Sequence, residues 1–420
     1  MKVAFLAHGT RGDIQPALAI GAVLDRRGHS VNLCVNADLA DWATRSGLKV
    51  TASDLDVGRF LQSDEAREIL AKGRISTLVR RVTADERRAD ESIAKAVVET
   101  TTDADVIVST LGMALRGAAV HETIGTPAMN LYCAPLTPTG QWASLASPVR
   151  DLRAGWANRL SFKVFHDLLW RQSRPSVDHL CDQLGAERLS SRPALEAIPS
   201  LHVVSPQLVP RPDDWGSGQH LVGPALPDAD LRARLGETIV PAGLEDWLDS
   251  GSPPVYFGFG SMPVLNPRAL VDDLIAVTQE LGVRGLIGAG WTRYGVRREE
   301  LPETLYLVDE HLDHQQVLPR CAAAVHHGGS GTTAAVTRAG IPSVVVSVFL
   351  DQPFWGWRLT QTGLGTTFPY RSLTRGRLTR ALAEVLAEGY LTRARTFAAI
   401  VEPEDGATRA ADLIEHQALA

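Results

Sequence analysis

Three short apolar runs in this chain end in glycine-bearing turns that open onto helical patterns. They are Val3–Leu6 before His8-Gly9-Thr10-Arg11-Gly12-Asp13, Val255–Phe257 before Gly258-Phe259-Gly260-Ser261, and Ala323–Val325 before His326-His327-Gly328-Gly329-Ser330-Gly331-Thr332-Thr333. A buried strand that turns through glycine into a helix is the repeating unit of a parallel sheet covered on both faces. Further runs extend the pattern: Val31–Val35, Val106–Ser109 and Ala128–Leu131 in the first half, Leu286–Ala289, Tyr306–Val308 and Ser343–Val346 in the second. Helical periodicity lies between them, as in Pro16–Arg27 with Leu18, Ala19, Ala22 and Val23. The 420 residues fit two or three domains at about 150 residues each. Ser205–His220, rich in Pro, Gly and polar residues, reads as an exposed linker. The expected fold is α/β, with two doubly wound Rossmann-like domains facing across a cleft.

Composition removes several function classes. Forty-two Lys and Arg against 48 Asp and Glu leave a net charge of -6, which gives nucleic acid no electrostatic foothold. The four cysteines, Cys34, Cys133, Cys181 and Cys321, form no C-x-x-C pair, so a zinc knuckle or a disulfide framework is not expected. The N-terminal apolar run is too short for a signal peptide, and nowhere do 18 apolar residues run together. The expectation is a cytoplasmic protein without stable membrane insertion. Trp142, Trp156, Phe162, Phe165 and Trp170 fall on helical segments that either pack on the first sheet or line a pocket for a bulky apolar ligand. Basic and apolar residues coexist over Phe162–Arg174, as they do in membrane-surface helices and in most other amphipathic ones.

In open α/β sheets, ligands bind beyond the C-terminal strand ends, where helix N-termini present free N–H groups. The turn at 326–333 is best equipped: its glycines let backbone approach an anion, and Ser330, Thr332 and Thr333 can cap the helix. No G-K-[ST] occurs, which excludes a Walker A loop. Gly9 and Gly12 are spaced G-x-x-G, and Pro263 stands where a third glycine would follow Gly258 and Gly260. A dinucleotide fingerprint is therefore missing at both places, the main objection to a nicotinamide oxidoreductase.

His314-Gln315-Gln316-Val317-Leu318-Pro319, the turn at 326–333, Ala339-Gly340-Ile341-Pro342 and Asp351-Gln352-Pro353 together resemble the donor-binding signature of nucleotide-sugar glycosyltransferases of the two-Rossmann (GT-B) type, family 1, the UDP-glycosyltransferase superfamily. Gly9–Pro16 resembles the opening of its bacterial antibiotic (glycopeptide and macrolide) and sterol branch, and Phe257–Met262 resembles the opening of its second domain. The resemblance implies an N-terminal acceptor-binding domain over 1–210, a linker at 211–225 and a donor-binding domain over 226–400. It also implies a C-terminal helix, 401–420, that crosses back to the first domain. The implied activity is a metal-independent, inverting transfer of a hexose or deoxyhexose from dTDP or UDP to a hydroxyl of a small apolar aglycone. The nucleotide-sugar is a co-substrate; no cofactor or metal is implied, and a monomer or homodimer fits.

The resemblance also places the site. Many relatives carry histidine at the second position of a G-H-x-x-P turn; here the turn reads Gly12-Asp13-Ile14-Gln15-Pro16, as in the antibiotic and sterol branch, so Asp13 is the expected general base. A helix N-terminus would lower its pKa, and burial would raise it. Donor contacts are expected from Arg11, Gly12, Ser261, His327, Gly329, Ser330, Gly331 and Thr332 around the diphosphate, and from Asp351 and Gln352 at the sugar hydroxyls. His326 reads as a strand-end packing residue. The plant form opens its signature with a tryptophan that stacks on the base; Val308–Asp313 offers only His311, so base recognition falls to it and to backbone, leaving uracil or thymine open. Trp142 and Phe165 are the acceptor-site candidates. The adjacent histidines lack supporting ligands for zinc. The pairs Asp103/Asp105 and Asp228/Asp230 read as solvated turn residues rather than a metal-binding D-x-D. Rival readings are a nucleotide-sugar epimerase on the same fold and a non-catalytic nucleotide-sugar-binding helper.

Overall fold

A computed structural model describes the chain apart from residues 72–73, 239, 261–263, 265, 309–311 and 420, and apart from the side chains of 71, 75 and 76. The chain forms two compact units, one made of Met1–Arg59, Val79–Leu235 and Glu404–Ala420, the other of Phe60–Leu78 and Gly236–Pro403. Each is built on a parallel sheet, and the two sheets give the two-Rossmann-domain GT-B architecture.

The first sheet contains β1 (Lys2–Ala7), β2 (Ser30–Asn36), β3 (Lys49–Ser53), β4 (Val106–Thr110), β5 (Ala128–Tyr132), β6 (Ser200–His202) and β7 (Gln219–Leu221). Their spatial order is β3-β2-β1-β4-β5-β6-β7. β1 is central: Val3 pairs with Val31 on one side and Val106 on the other. Its run is almost wholly apolar because both faces are covered; Val3 to Ala7 are all buried. The helix Arg11–Arg26 buries Ile14, Leu18 and Ile20 against this sheet. The C-terminal helix Gly406–Leu419 adds Ala407, Ala410, Ala411 and Ile414 to the same core. Arg27 fixes that helix through Asp412 at 2.8 Å and Glu415 at 2.9 Å.

The second sheet contains β8 (Val255–Gly258), β9 (Gly285–Gly288), β10 (Leu305–Val308), β11 (Ala323–His326), β12 (Ser343–Ser347) and β13 (Gly365–Pro369). The order β10-β9-β8-β11-β12-β13 repeats the plan of the first, with Val325 between Phe257 and Val344. In each sheet the winding reverses beside the first strand, between β1 and β4 and between β8 and β11. The crevice at such a reversal is where open α/β sheets take ligands.

Residues 205–220, expected to form an exposed linker, are exposed only in part. Val209 is fully buried, Trp215 stacks on His202 with ring centroids 4.6 Å apart, and β7 lies at the end of this stretch and extends the first sheet. The Pro/Gly composition marked turns correctly but carried no information on burial. Among the described residues no helix is long and apolar enough to cross a membrane.

Candidate functional site

In the first unit, β1 ends at Ala7 and the chain turns through His8, Gly9 and Thr10 into the helix that carries Asp13 in its first turn. Asp13 Oδ2 accepts hydrogen bonds from Thr10 N (2.8 Å) and Thr10 Oγ1 (3.2 Å). Those bonds stabilise the carboxylate, yet burial outweighs them and the pKa lies above its ordinary value. The opposition anticipated between helix end and burial is thus resolved towards the stronger base.

Gly9 shapes this geometry. Its φ is 142°, and a Cβ there would come within 2.3 Å of Asp13 Oδ2. Its N–H donates to Asn36 Oδ1 at 3.0 Å, tying the turn to the end of β2. Gly12, three residues on, is helical, and its nearest neighbour to an added Cβ is Thr10 Oγ1 at 3.7 Å. The two glycines should therefore respond oppositely to alanine. Gly9→Ala is expected to cost about 2–4 kcal/mol through strain and collision, and Gly12→Ala to be neutral or stabilising by up to about 1 kcal/mol. Urea unfolding midpoints of the two variants test this, and a tolerated Gly9→Ala would contradict the packing described.

Arg11 lies with its guanidinium carbon 5.0 Å from the centre of the Trp42 ring. His8 is buried between Ser53 Oγ (3.3 Å) and Cys34 Sγ (3.5 Å) from its Nε2, and burial lowers its pKa to about 3. It is a neutral structural residue behind the turn.

In the second unit, the turn after β11 opens the helix Ser330–Arg338. The N-cap is Gly329, which has no side chain to cap with, and Ser330, Thr332 and Thr333, read as able to cap, lie within the first turn of the helix. The first helical bond runs from Thr333 N to Gly329 O (2.9 Å), and the amides of Ser330, Gly331 and Thr332 precede it. His327 is buried behind them, flanked by Gly260 and Gly329: added Cβ atoms would approach its ring to 2.7 Å and 2.5 Å. Only glycine allows backbone that close on both sides. Burial lowers its pKa to about 4 against an opposing backbone hydrogen bond with Gly258, so the ring is neutral. His326 points into the core, bonded to Ser343 Oγ (3.2 Å) and to the N–H of Gly328 (3.2 Å). Thr333 Oγ1 is buried with no hydrogen-bond partner among the described residues.

Beyond β12, Gln352 Oε1 accepts from Val348 N (2.8 Å) and Phe349 N (3.3 Å). Its oxygen holds the loop, and the amide nitrogen of this buried side chain takes no part in those bonds. Asp351 is anchored by Trp355 Nε1 at 2.8 Å, a support that the sequence pattern did not single out. Ser261 and His311, both expected to contact the donor, lie outside the described residues.

The acceptor candidates fare differently from one another. Trp142 is only 2% exposed and sits edge-on to Trp215, which places it in the core rather than on a ligand-facing wall. Phe165 is half-buried on the long helix Gly155–Leu184. A cavity of about 510 Å³ in the first unit is lined by residues including Arg159, His166, Arg192, Glu196, Asp214 and Trp215; neither Asp13 nor Phe165 borders it. Of its charges, Arg159 pairs with Asp214 and Arg192 with Glu196, and Lys163 also borders it. The aspartate pairs have structural work: Asp105 accepts from Lys2 N, Asp228 caps Leu231 N, and Asp230 pairs with Arg234.

Comparison with known proteins follows the same division. Residues 3–137 match the glycosyltransferase family 28 N-terminal domain, and residues 291–404 match the erythromycin biosynthesis protein CIII-like C-terminal domain. A sterol 3-beta-glucosyltransferase of Arabidopsis thaliana is 30% identical over 98% of this chain and 67% of its own. For a second Arabidopsis sterol 3-beta-glucosyltransferase, 31% identical, the chain spans 64% of the relative's length. An uncharacterized glycosyltransferase of Mycobacterium tuberculosis is 30% identical over 100% of this chain and 99% of its own. Among solved structures, the glycotransferase of kitacinnamycin superposes with a TM-score of 0.71 at 18% identity, covering 99% of this chain and 98% of its own. The glycosyltransferase VinC in complex with dTDP gives 0.67 at 18% identity, covering 100% and 99%.

Proposed function

Since the chain belongs to the family 1 glycosyltransferases of the GT-B fold, we propose that it transfers a hexose or deoxyhexose from dTDP or UDP to a hydroxyl of a small apolar natural product or sterol-like acceptor, with inversion at the anomeric carbon. The observation that carries this reading is a half-buried carboxylate of raised pKa, Asp13, at the strand reversal of the first sheet. The acceptor belongs to the first unit and the donor to the second.

Asp13 takes the proton of the acceptor hydroxyl as the acceptor oxygen bonds to the anomeric carbon and the bond from that carbon to the diphosphate breaks. Proton loss and leaving-group departure proceed together, so no free alkoxide forms. Charge growing on the diphosphate is met by the amides of Ser330, Gly331 and Thr332, by the positive end of their helix and by His327. The resemblance adds Arg11, Gly12, Ser261 and Gly329 to the diphosphate contacts and His311 to base recognition, Ser261 and His311 being outside the described residues. Asp351 accepts from sugar hydroxyls, and the Gln352 amide nitrogen donates to them.

The donor half is tested by thermal shift. UDP or dTDP, with a chelator present, should raise the melting midpoint, whereas GDP and NAD should not. His327→Ala should weaken the effective nucleotide about 10–100-fold, the loss of one hydrogen bond to a charged group. A shift with NAD alone would overturn the donor assignment, and unchanged affinity in His327→Ala would remove that residue from the diphosphate.

A further inference from the structure

The long helix Gly155–Leu184 leaves a stripe of large apolar side chains uncovered. Trp156 is 72% exposed, Leu160 49%, Val164 51% and Leu168 49%. Their four-residue spacing puts them on one face, turning by about 40° per step and extending about 18 Å along the axis. Val149 and Leu152, in the segment just before the helix, are exposed as well. The opposite face is spent on the core, with Asn158, Phe162 and His166 buried. A contiguous apolar band of this kind on the surface of a folded unit marks a contact.

The charge around the band identifies what it contacts. Residues 149–174 hold six Lys and Arg against two Asp, in a chain whose net charge is -6. Asp167 is paired with Arg192 (3.1 Å), Arg159 with Asp214 (2.6 Å) and Arg174 with Asp178 (3.8 Å), while Asp151 accepts from Asn158 Nδ2 (3.0 Å). Lys163 and Arg171 are exposed on the same face as the apolar stripe, with Arg174 one turn further along. Self-association would bring this cationic face against its own copy, since a two-fold interface apposes identical patches. An anionic bilayer surface complements both properties: the apolar row enters the acyl boundary, tryptophan sits at the headgroup level, and Lys and Arg stems reach back to phosphate. We propose that this helix face docks the enzyme peripherally on anionic lipid membranes. The proposal stands on the helix alone and not on the donor or acceptor assignments; it gives an apolar acceptor dissolved in lipid a place to be met.

Co-sedimentation with vesicles tests it. The chain should partition at least about tenfold more strongly onto phosphatidylcholine–phosphatidylglycerol (1:1) vesicles than onto phosphatidylcholine alone, and less so as salt is raised. The double variant Leu160→Glu/Val164→Glu should lose at least about tenfold of that partition, as should Lys163→Glu/Arg171→Glu. These positions are exposed, and an unchanged circular dichroism spectrum and melting midpoint in both variants verify that the fold is intact. Equal recovery on the two vesicle types, no recovery on either, or full binding by the Leu160→Glu/Val164→Glu variant would overturn the proposal. So would light scattering that shows a wild-type dimer dissociated by that variant, which would give the face to a second copy.

Discussion

Asp13→Asn is expected to lower turnover by about 10²–10⁴-fold, the contribution of a positioned general base, while the melting shift produced by UDP or dTDP stays as in the wild type. Asparagine keeps an oxygen that can accept from Thr10 N, so the turn and its helix cap survive and the proton acceptor alone is lost. The same substitution should leave the melting midpoint at neutral pH unchanged or raise it. The folded pKa of Asp13 is raised by burial, so the ionised form is disfavoured in the folded state relative to the unfolded one. For a carboxyl shifted in that direction, the folded state binds the proton more tightly, and stability falls as pH rises from the unfolded towards the folded pKa. Removing the charge removes that penalty. A base that costs stability is the signature of a functional residue, and a cap would show the reverse. The rate profile of the wild type should accordingly lose its acid limb at a pH above that of an unperturbed aspartate. Asp13→Asn with near-normal turnover and a lowered midpoint would make Asp13 a cap and leave the base to be sought elsewhere.

What could be read from the sequence, and what could not, follows from where each residue sits in its sheet. β1, β2, β4, β5 and β8 to β12 announce themselves because strands buried on both faces must be continuous apolar runs. β3, β6, β7 and β13 did not. β3, β7 and β13 are edge strands, Lys49–Ser53 and Gly365–Pro369 are mixed in polarity, and Ser200–His202 and Gln219–Leu221 have only three residues each. The places of Asp13 and of the turn at 326–333 just after strand ends were legible in the sequence, while the roles proposed for them come from the resemblance. The supports around them were not legible. The collision of a Gly9 side chain with Asp13 depends on a backbone angle, and the Gln352 oxygen is committed to amides of a loop whose path composition does not reveal. Trp142 shows the limit in the other direction: read as helical and as either a packing or a pocket residue, it lies outside any helix, is buried and meets Trp215 edge-on.

Acid should begin to destabilise this protein above the pH at which its carboxylates titrate, because at least four of the described histidines are held neutral inside it. His8 and His202 in the first unit are lowered to about 3 and about 4, and His326 and His327 in the second to about 3 and about 4, in every case chiefly by burial. They end or follow β1, β6 and β11, where the backbone plan and not a charge partner fixes the ring: His202 Nε2 meets Thr137 Oγ1 at 3.0 Å, and His326 meets Ser343. Each folded pKa lies below the unfolded value of about 6.5, so between the two values the unfolded chain binds more protons. The stability is complete above pH 6.5 and is lost as pH falls, at about 1.4 kcal/mol per unit for each histidine. With two such residues in each unit, two pH units remove about 5 kcal/mol from each, which is comparable with the whole stability of a domain. The raised carboxyl groups of Asp13 and Glu86 act in the opposite sense and offset part of the loss. Circular dichroism should therefore show cooperative loss of structure at about pH 4–5, and urea midpoints should already decline between pH 7 and pH 5. His202→Gln should flatten that decline even where it lowers stability at pH 8, since the slope counts protons and the absolute value counts packing. Midpoints independent of pH from 7 to 5 would show that these rings are protonated or solvated in the folded state, and would withdraw with them the neutral His327 on which the diphosphate contact is drawn.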